Sequence, residues 1–387
     1  MKKIFVFLAM VCMMLTACNM NELVDENRSA DRIGFQVNTA FQTKALDVTT
    51  ANLPSFVVEA FDHESVTSPY FSAITFTKDA IDEGVFDSDQ PYYWPEGALD
   101  FYAYAWGAAA SSQFLKTDYR TFVITPAATP AEQIDFVYAC NTNLTKAGST
   151  AGKVPMNFRH TESKVIVKVK NTAPNMYFVI SDWRIGYVDQ DGTFTYNAAA
   201  ANPYASTTNG EGTLNVNMWS GNTDAAASKY YDFTLASNMT IAASSSTAVQ
   251  VTDATAANGE MILIPQSVTA ASAYANSGTA AAGDLVNGSY IGLKIKIFNA
   301  ANDSVIYSDR ENGGTTAWAI WPATVAFEPG KLYTFTVDLA GGGYYLTNQD
   351  DNEDLDPILE GARIRFASVT VDTWSVQAES NLANAML

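Results

Sequence analysis

Ser163-Lys164-Val165-Ile166-Val167-Lys168-Val169-Lys170 is the most regular stretch of this 387-residue chain. Val165, Val167 and Val169 fall on one side of a residue-by-residue alternation, with Lys164, Lys168 and Lys170 interleaved. A strand turns successive side chains to opposite faces, so this spacing describes a strand with one apolar and one polar face. Valine is β-branched and suits the pleat. The same short pattern recurs on the N-terminal side in Ile33-Gly34-Phe35-Gln36-Val37-Asn38-Thr39 and in Ser55-Phe56-Val57-Val58-Glu59-Ala60-Phe61. It returns over residues 71–77, 99–106, 121–125 and 135–140. On the C-terminal side it covers residues 176–188, 193–196, 230–235, 261–264, 290–298, 304–307 and 332–339. Clusters of Pro, Gly, Asp and Ser separate the segments. No long 3.6-residue periodicity appears, so helices are minor and the expected class is all-β.

The N-terminus reads differently. Lys2 and Lys3 precede an apolar run, residues 4–14, too short to span a bilayer and suited to the hydrophobic region of a signal peptide. It ends in Leu15-Thr16-Ala17-Cys18, which resembles a bacterial lipobox. Cleavage before Cys18 would leave that cysteine as an acylated N-terminus, and no later stretch is long and apolar enough to cross a membrane. The mature chain then keeps Cys18 and Cys140, so no intrachain disulfide is expected. Cys140, in Phe136-Val137-Tyr138-Ala139-Cys140, reads as a small buried hydrophobe.

The whole chain carries 22 basic and 41 acidic side chains, and losing Lys2 and Lys3 leaves 20 against 41, a formal charge of −21. Such a surface repels nucleic acid and anionic membranes. Two histidines cannot build an ordinary His-based metal site. His63 reads as a solvated loop residue and His160 as a hydrogen-bonded residue at a domain junction. No Gly-x-Ser-x-Gly elbow, Walker loop or dinucleotide fingerprint is present. No cofactor, catalytic residue or metal ligand is expected. The acidic runs Asp189-Gln190-Asp191-Gly192 and Asp350-Asp351-Asn352-Glu353-Asp354-Leu355-Asp356 have calcium-type oxygen ligands but not the EF-hand spacing. A turn and a solvated linker are the preferred readings. Tyr92-Tyr93-Trp94-Pro95 and Trp318-Ala319-Ile320-Trp321-Pro322 suit either a carbohydrate platform or, more often on strands, core packing.

Length and punctuation suggest a division into a signal peptide (1–17), a polar tether (18–31), a first β-domain (32–153), a second (154–340) and a terminal segment (341–387). Asp189-Gln190-Asp191-Gly192 is expected to close a hairpin. Residues 197–229 and 268–287, rich in small and polar residues, are expected to be surface loops. Gly341-Gly342-Gly343 reads as a flexible joint before the acidic linker. Residues 362–374 follow as one more strand. Ile364 and Phe366 lie on one phase and Val369 and Val371 on the other, which predicts a bulge or phase slip between them. Trp374 ends the segment. A strand this apolar outside a domain needs a sheet to join.

Taken in order, several pieces resemble the fimbrillins, the lipoprotein pilins of Bacteroidales-type (type V) fimbriae, in their Mfa-like branch. They are the lipobox, the strand 33–39 with Gln42-Thr43-Lys44-Ala45, and Tyr92-Tyr93-Trp94-Pro95 with Leu99-Asp100-Phe101-Tyr102-Ala103-Tyr104. Val154-Pro155-Met156-Asn157-Phe158-Arg159-His160 and Met261-Ile262-Leu263-Ile264-Pro265-Gln266 follow. The last are Pro329-Gly330-Lys331-Leu332-Tyr333-Thr334-Phe335-Thr336-Val337 and Val369-Thr370-Val371-Asp372-Thr373-Trp374. The resemblance implies two transthyretin-like Greek-key β-sandwich domains in tandem with an extra C-terminal strand. It implies export as an outer-membrane lipoprotein held through Cys18, then cleavage by a trypsin-like protease after the first strand. That cut maps between Lys44 and Ala45. Arginine is the better-known residue there, and Arg28 and Arg32 are fallback sites that would leave the strand in place.

Loss of the strand is implied to open a groove filled by a neighbour's donor strand, whose inserted residues here are Ile364, Phe366, Val369, Val371 and Trp374. Identical or related pilin subunits are then the partners in an extracellular fimbrium serving adhesion, with a host protein or glycan receptor open. A non-polymerising surface adhesin or glycan-binding lipoprotein, a fimbrial tip or accessory subunit, and a secreted hydrolase with convergent carboxylates are the competing readings.

Overall fold

The computed structural model describes residues 31–37, 53–80, 84–106, 112–149, 152–196, 216–221, 229–251, 260–273, 286–310, 312–346, 354–360 and 366–373. Among them the regular elements are strands and three-residue 3-10 turns, with no α-helix, as the alternating patterns require. The first half builds one sheet of eight strands. Across it the order is Arg159–His160, Phe136–Leu144, Leu99–Trp106, Ser55–Asp62, Ser65–Lys78, Val85–Asp87, Gly34–Val37 and Lys153–Met156. The two outermost strands are separated in sequence only by Asn157 and Phe158. Two residues span about 7 Å at most, so the opposite edges of the sheet meet and the sheet wraps around its core. That core is aromatic: Phe35, Phe56, Phe76, Phe86, Phe101 and Phe158 are all buried in it.

The second half is a sandwich. One sheet runs Ser245–Gln250, Ser163–Asn171, Lys331–Asp338 and Phe366–Thr373, with Glu260–Leu263 also paired to Ser163–Asn171. The other runs Tyr230–Ile241, Met176–Gly186, Tyr290–Asn299, Ala317–Pro322 and Tyr344–Tyr345, with Val305–Tyr307 against Tyr290–Asn299. Val165, Val167 and Val169 face the core as the alternation demands, beside Tyr333, Phe335 and Val337 of the parallel neighbour. Opposite them lie Phe178, Ile180, Trp183 and Ile185. Their spacing breaks from two to three at Ser181, where the pairing register shifts. A bulge there absorbs one residue and keeps both ends of the strand apolar-side in.

A small sheet joins the halves, because Gly192–Thr195 pairs with Thr121–Ile124 of the first half and with Trp219–Ser220. This corrects the expected hairpin at Asp189-Gln190-Asp191-Gly192. The chain leaves one sheet after Gly186 and enters another at Gly192, and the Gln266 side chain clamps the crossing by hydrogen bonds to Asp189 N (2.8 Å) and O (3.0 Å). The division between 153 and 154 likewise falls inside the strand Lys153–Met156, and residues through His160 complete the first sheet. Within the expected loop 197–229, Trp219 is buried and its indole donates to Thr161 O at 3.0 Å. The loop 268–287 contains the paired two-residue strands Ser272–Ala273 and Val286–Asn287.

Gly341-Gly342-Gly343 is a packed turn rather than a flexible joint. Gly341 is buried, Gly342 and Gly343 have positive φ, and a Cβ on Gly342 would stand 2.6 Å from Leu359. A Cβ on Gly343 would stand 3.0 Å from Trp321. The glycines are there for left-handed backbone and close approach.

Candidate functional site: the first-strand slot and the last strand

The first strand, Gly34–Val37, is an interior strand made by local alternation and held by distant partners. It runs antiparallel to Val85–Asp87, with Phe35 opposite Phe86, and parallel to Lys153–Met156, with Phe35 beside Val154. Flanking backbone bonds extend the ladder: Ile33 N donates to Tyr92 O (2.7 Å) and Val37 N to Gly84 O (2.9 Å). The Arg32 guanidinium donates to the Ser88 carbonyl. Ile33, Phe35 and Val37 are 0%, 0% and 3% exposed. The Phe35 ring meets Phe76, Phe101 and Phe56 at 4.5, 5.5 and 5.7 Å between centroids, all near edge-to-face. Each such side chain contributes about 1.5–3 kcal/mol by burial. The strand is therefore a plug, and its slot has two strand edges as walls and phenylalanines as floor.

The last strand, Phe366–Thr373, is its opposite. It pairs antiparallel with Lys331–Asp338 at the rim of its sheet, and its outer edge has no strand partner among the described residues. The register slips between Ser368, opposite Thr336, and Phe366, opposite Val337, so Ala367 is a bulge. This is the phase slip the sequence predicts. Its effect is to bring Phe366, Val369 and Val371 onto one face, beside the core residues Val337, Phe335 and Tyr333. Phe366 packs on Phe335 at 5.2 Å, but Val369 and Val371 remain 43% and 52% exposed. The strand is thus held by its backbone ladder and one ring. Cys18, Lys44, Ala45, Ile364 and Trp374 lie outside the described residues.

The slot walls Val85–Asp87 and Lys153–Met156 were not singled out as such by sequence. The first is three residues long, too short for an alternation to register, and the second reads as the opening of the next domain.

Elsewhere the titratable groups are locked into structure. Cys140 is buried with its Sγ 3.0 Å from the Tyr196 hydroxyl, and burial pushes its thiol up to about 12, against the opposing effect of the hydrogen bond with Tyr196. A thiol so protonated is no nucleophile at neutral pH. His160 Nδ1 lies 2.9 Å from buried Asp135, while His63 is exposed in a turn, as expected, with Nδ1 2.7 Å from Asp100. Glu162 is wholly buried, and burial first, then the nearby Asp135, hold its carboxyl well above the usual carboxylate range. No group of three or more His, Cys, Asp or Glu side chains among the described residues is placed to hold a metal. Trp94 and Trp321 are core residues, and the Trp318 ring is covered by Arg184 at 4.2 Å, which also stacks on Tyr230 at 3.7 Å. Arg184 is fixed there by a bidentate pair with Asp232, at 2.5 and 2.8 Å.

An all-β chain with a buried, plug-like first strand and a bare last strand is a class defined by its two ends. The fimbrillin-like family profile matches residues 39–352, and the chain belongs to that family. A crystal structure of a fimbrial protein from Bacteroides vulgatus is similar with a TM-score of 0.55 at 12% identity, covering 89% of this chain and 100% of that one. At that identity the likeness is one of fold. The tip fimbrial protein Mfa3 from Porphyromonas gingivalis, solved with a C-terminal truncation, aligns over 89% of this chain and 99% of that one, at 10% identity and a TM-score of 0.36. No curated protein matches the chain.

Proposed function

We propose that this chain is a structural subunit of a cell-surface fimbrium. It is exported as a lipoprotein acylated at Cys18, cut between Lys44 and Ala45, and polymerised when the last strand of one copy enters the slot left by the first strand of another. The observation that carries this reading is the contrast between the two ends of the chain. The first strand is a plug whose apolar side chains are buried, and the last is an edge strand whose Val369 and Val371 stay exposed. A free, apolar strand edge is an aggregation hazard unless it has a destination, and strand addition supplies one with a full ladder of backbone bonds. We further propose that the first domain runs to about His160 and the second from Ser163 to Leu339, with residues 340–346 and 354–360 packed on it as its last layer.

N-terminal sequencing of protein sheared from cells in filaments tests the reading. A start at Ala45 is expected; a start at Cys18 overturns it. Metabolic labelling with a fatty-acid analogue is expected to mark the wild-type precursor and not the Cys18→Ala variant.

A further inference from the structure

The slot and the last strand leave untouched a cleft on the second domain. It has a volume of about 320 Å³ and opens between the crossing at residues 187–189, the run 266–270 with Ser272, and Asn287 and Gly288. That volume lies at the small end of the range of about 300–1,000 Å³ typical of small-molecule sites. Its frame is fixed by the fold alone. The Gln266 amide is engaged by Asp189 N and O and by Ile264 O. The walls are tied by Ser289 N donating to Thr269 O (2.7 Å) and Ala271 N to Ser289 O (2.9 Å). Gly288, at φ +108°, lets them close, since a Cβ there would stand 2.5 Å from Ala270 O. Tyr187 stands on this cleft in a conformation that works against folding. Its φ is +59°, in the left-handed region where a bulky L-residue is an outlier. The backbone bond that fixes the turn, Tyr187 N to Lys229 O at 2.8 Å, needs no side chain, and glycine would make it without strain. The ring is half-buried, and among the described residues its hydroxyl has no hydrogen-bond partner and it stacks on no other ring. Strain kept at such a residue on a cleft wall is characteristic of a ligand clamp.

We propose that this cleft binds a neutral saccharide unit, with the Tyr187 ring against the C–H face of a pyranose and with Asp189 and Asn287 taking its hydroxyls. The chemistry of the lining selects that class. Asp189 brings a carboxylate with about four acceptor positions, and the exposed Asn287 amide both donates and accepts. Ser267, Thr269 and Ser272 add hydroxyls, and Val268, Ala270 and Gly288 supply apolar surface between them. No Lys, Arg or His lines the cleft, so an anion meets no counter-charge there. A single carboxylate falls short of the set of about six to eight oxygens that calcium takes, and one ring is not the aromatic cage that recognises a quaternary ammonium. A sugar ring, polar at its rim and apolar on its face, engages the hydroxyls, the amide and the aromatic ring together. The site is independent of strand exchange and holds whether or not filaments form.

Saturation-transfer NMR on the full chain tests the site, with the methyl glycosides of glucose, galactose, mannose, fucose and N-acetylglucosamine as probes. Transfer to the ring protons of at least one of them is expected, and transfer to none overturns the proposal. Tyr187→Gly is expected to abolish that transfer while holding the urea midpoint at or above wild type, because glycine relieves the left-handed backbone. A midpoint that falls instead means that the ring is kept for packing, and it overturns the assignment of Tyr187 to a ligand. Asn287→Ala, a change to an exposed side chain, is expected to weaken binding several-fold with the midpoint unchanged. Transfer undiminished in either variant places the sugar elsewhere on the chain and overturns the site.

Discussion

Phe35 shows how much one side chain of the plug carries. Its ring contacts three other phenylalanines and has no exposed area. Truncation leaves a cavity walled by rigid strands, and such aromatic truncations cost about 3–5 kcal/mol. Phe35→Ala is therefore expected to lower the urea midpoint of the uncut precursor markedly. It is expected to leave the thermal stability of assembled filaments unchanged, because a subunit that begins at Ala45 no longer contains residue 35. An equal loss in both forms would mean that the first strand stays in the filament.

Glu162 offers a second residue-scale test. Phe136 N donates to its Oε2 at 3.0 Å, while Oε1 has no hydrogen-bond partner among the described residues. With its folded pKa above the ordinary value of 4.5, the folded chain keeps the proton where the unfolded chain has lost it. Stability is full below that ordinary value and falls as pH rises toward the folded one. Glu162→Gln keeps an acceptor for Phe136 N and cannot ionise. Its stability relative to wild type, from urea midpoints between pH 4 and pH 8, is expected to rise with pH and to vanish at the acid end. A difference that stays flat across the range refutes the assignment.

At the scale of elements, the last strand is cheap to remove. Among the described residues of that strand only Phe366 packs on the core, and burial of one such ring contributes about 1.5–3 kcal/mol at most. The ladder bonds lost are exchanged for bonds to water. Deletion of residues 361–387 is expected to lower precursor stability by no more than about 3 kcal/mol, with the far-ultraviolet spectrum retained, and to abolish filaments seen by electron microscopy. Filaments at wild-type yield from the truncated chain would end the strand-exchange reading. Legibility in the sequence followed the range of the interaction. Val165, Val167 and Val169, the slip between Phe366 and Val369, and buried Cys140 were readable because alternation and composition are local. Gly341 to Gly343 were misread because what fixes them, Leu359 and Trp321, lies far along the chain or in another strand. The turn at Asp189 to Gly192 was misread because its strands pair elsewhere, a choice made by Thr121–Ile124 and Gln266. The slot itself was invisible for the same reason: Gly34–Val37 names no walls until Val85–Asp87 and Lys153–Met156 arrive.

For the whole molecule, charge opposes self-association. A chain beginning at Ala45 has 17 basic and 37 acidic side chains, a formal charge of −20. Two copies must approach to within strand-pairing distance against that repulsion. The repulsion involves every acidic side chain within a screening length, which shrinks from about 30 Å at 0.01 M salt to about 8 Å at 0.15 M. The net charge therefore sets the encounter rate, and salt assists encounter. Filament growth after protease cleavage of purified precursor, followed by light scattering, is expected to quicken several-fold across that salt range. Growth that slows as salt is added would mean that attraction between specific charges, rather than relief of the overall repulsion, controls the approach of one copy to the next.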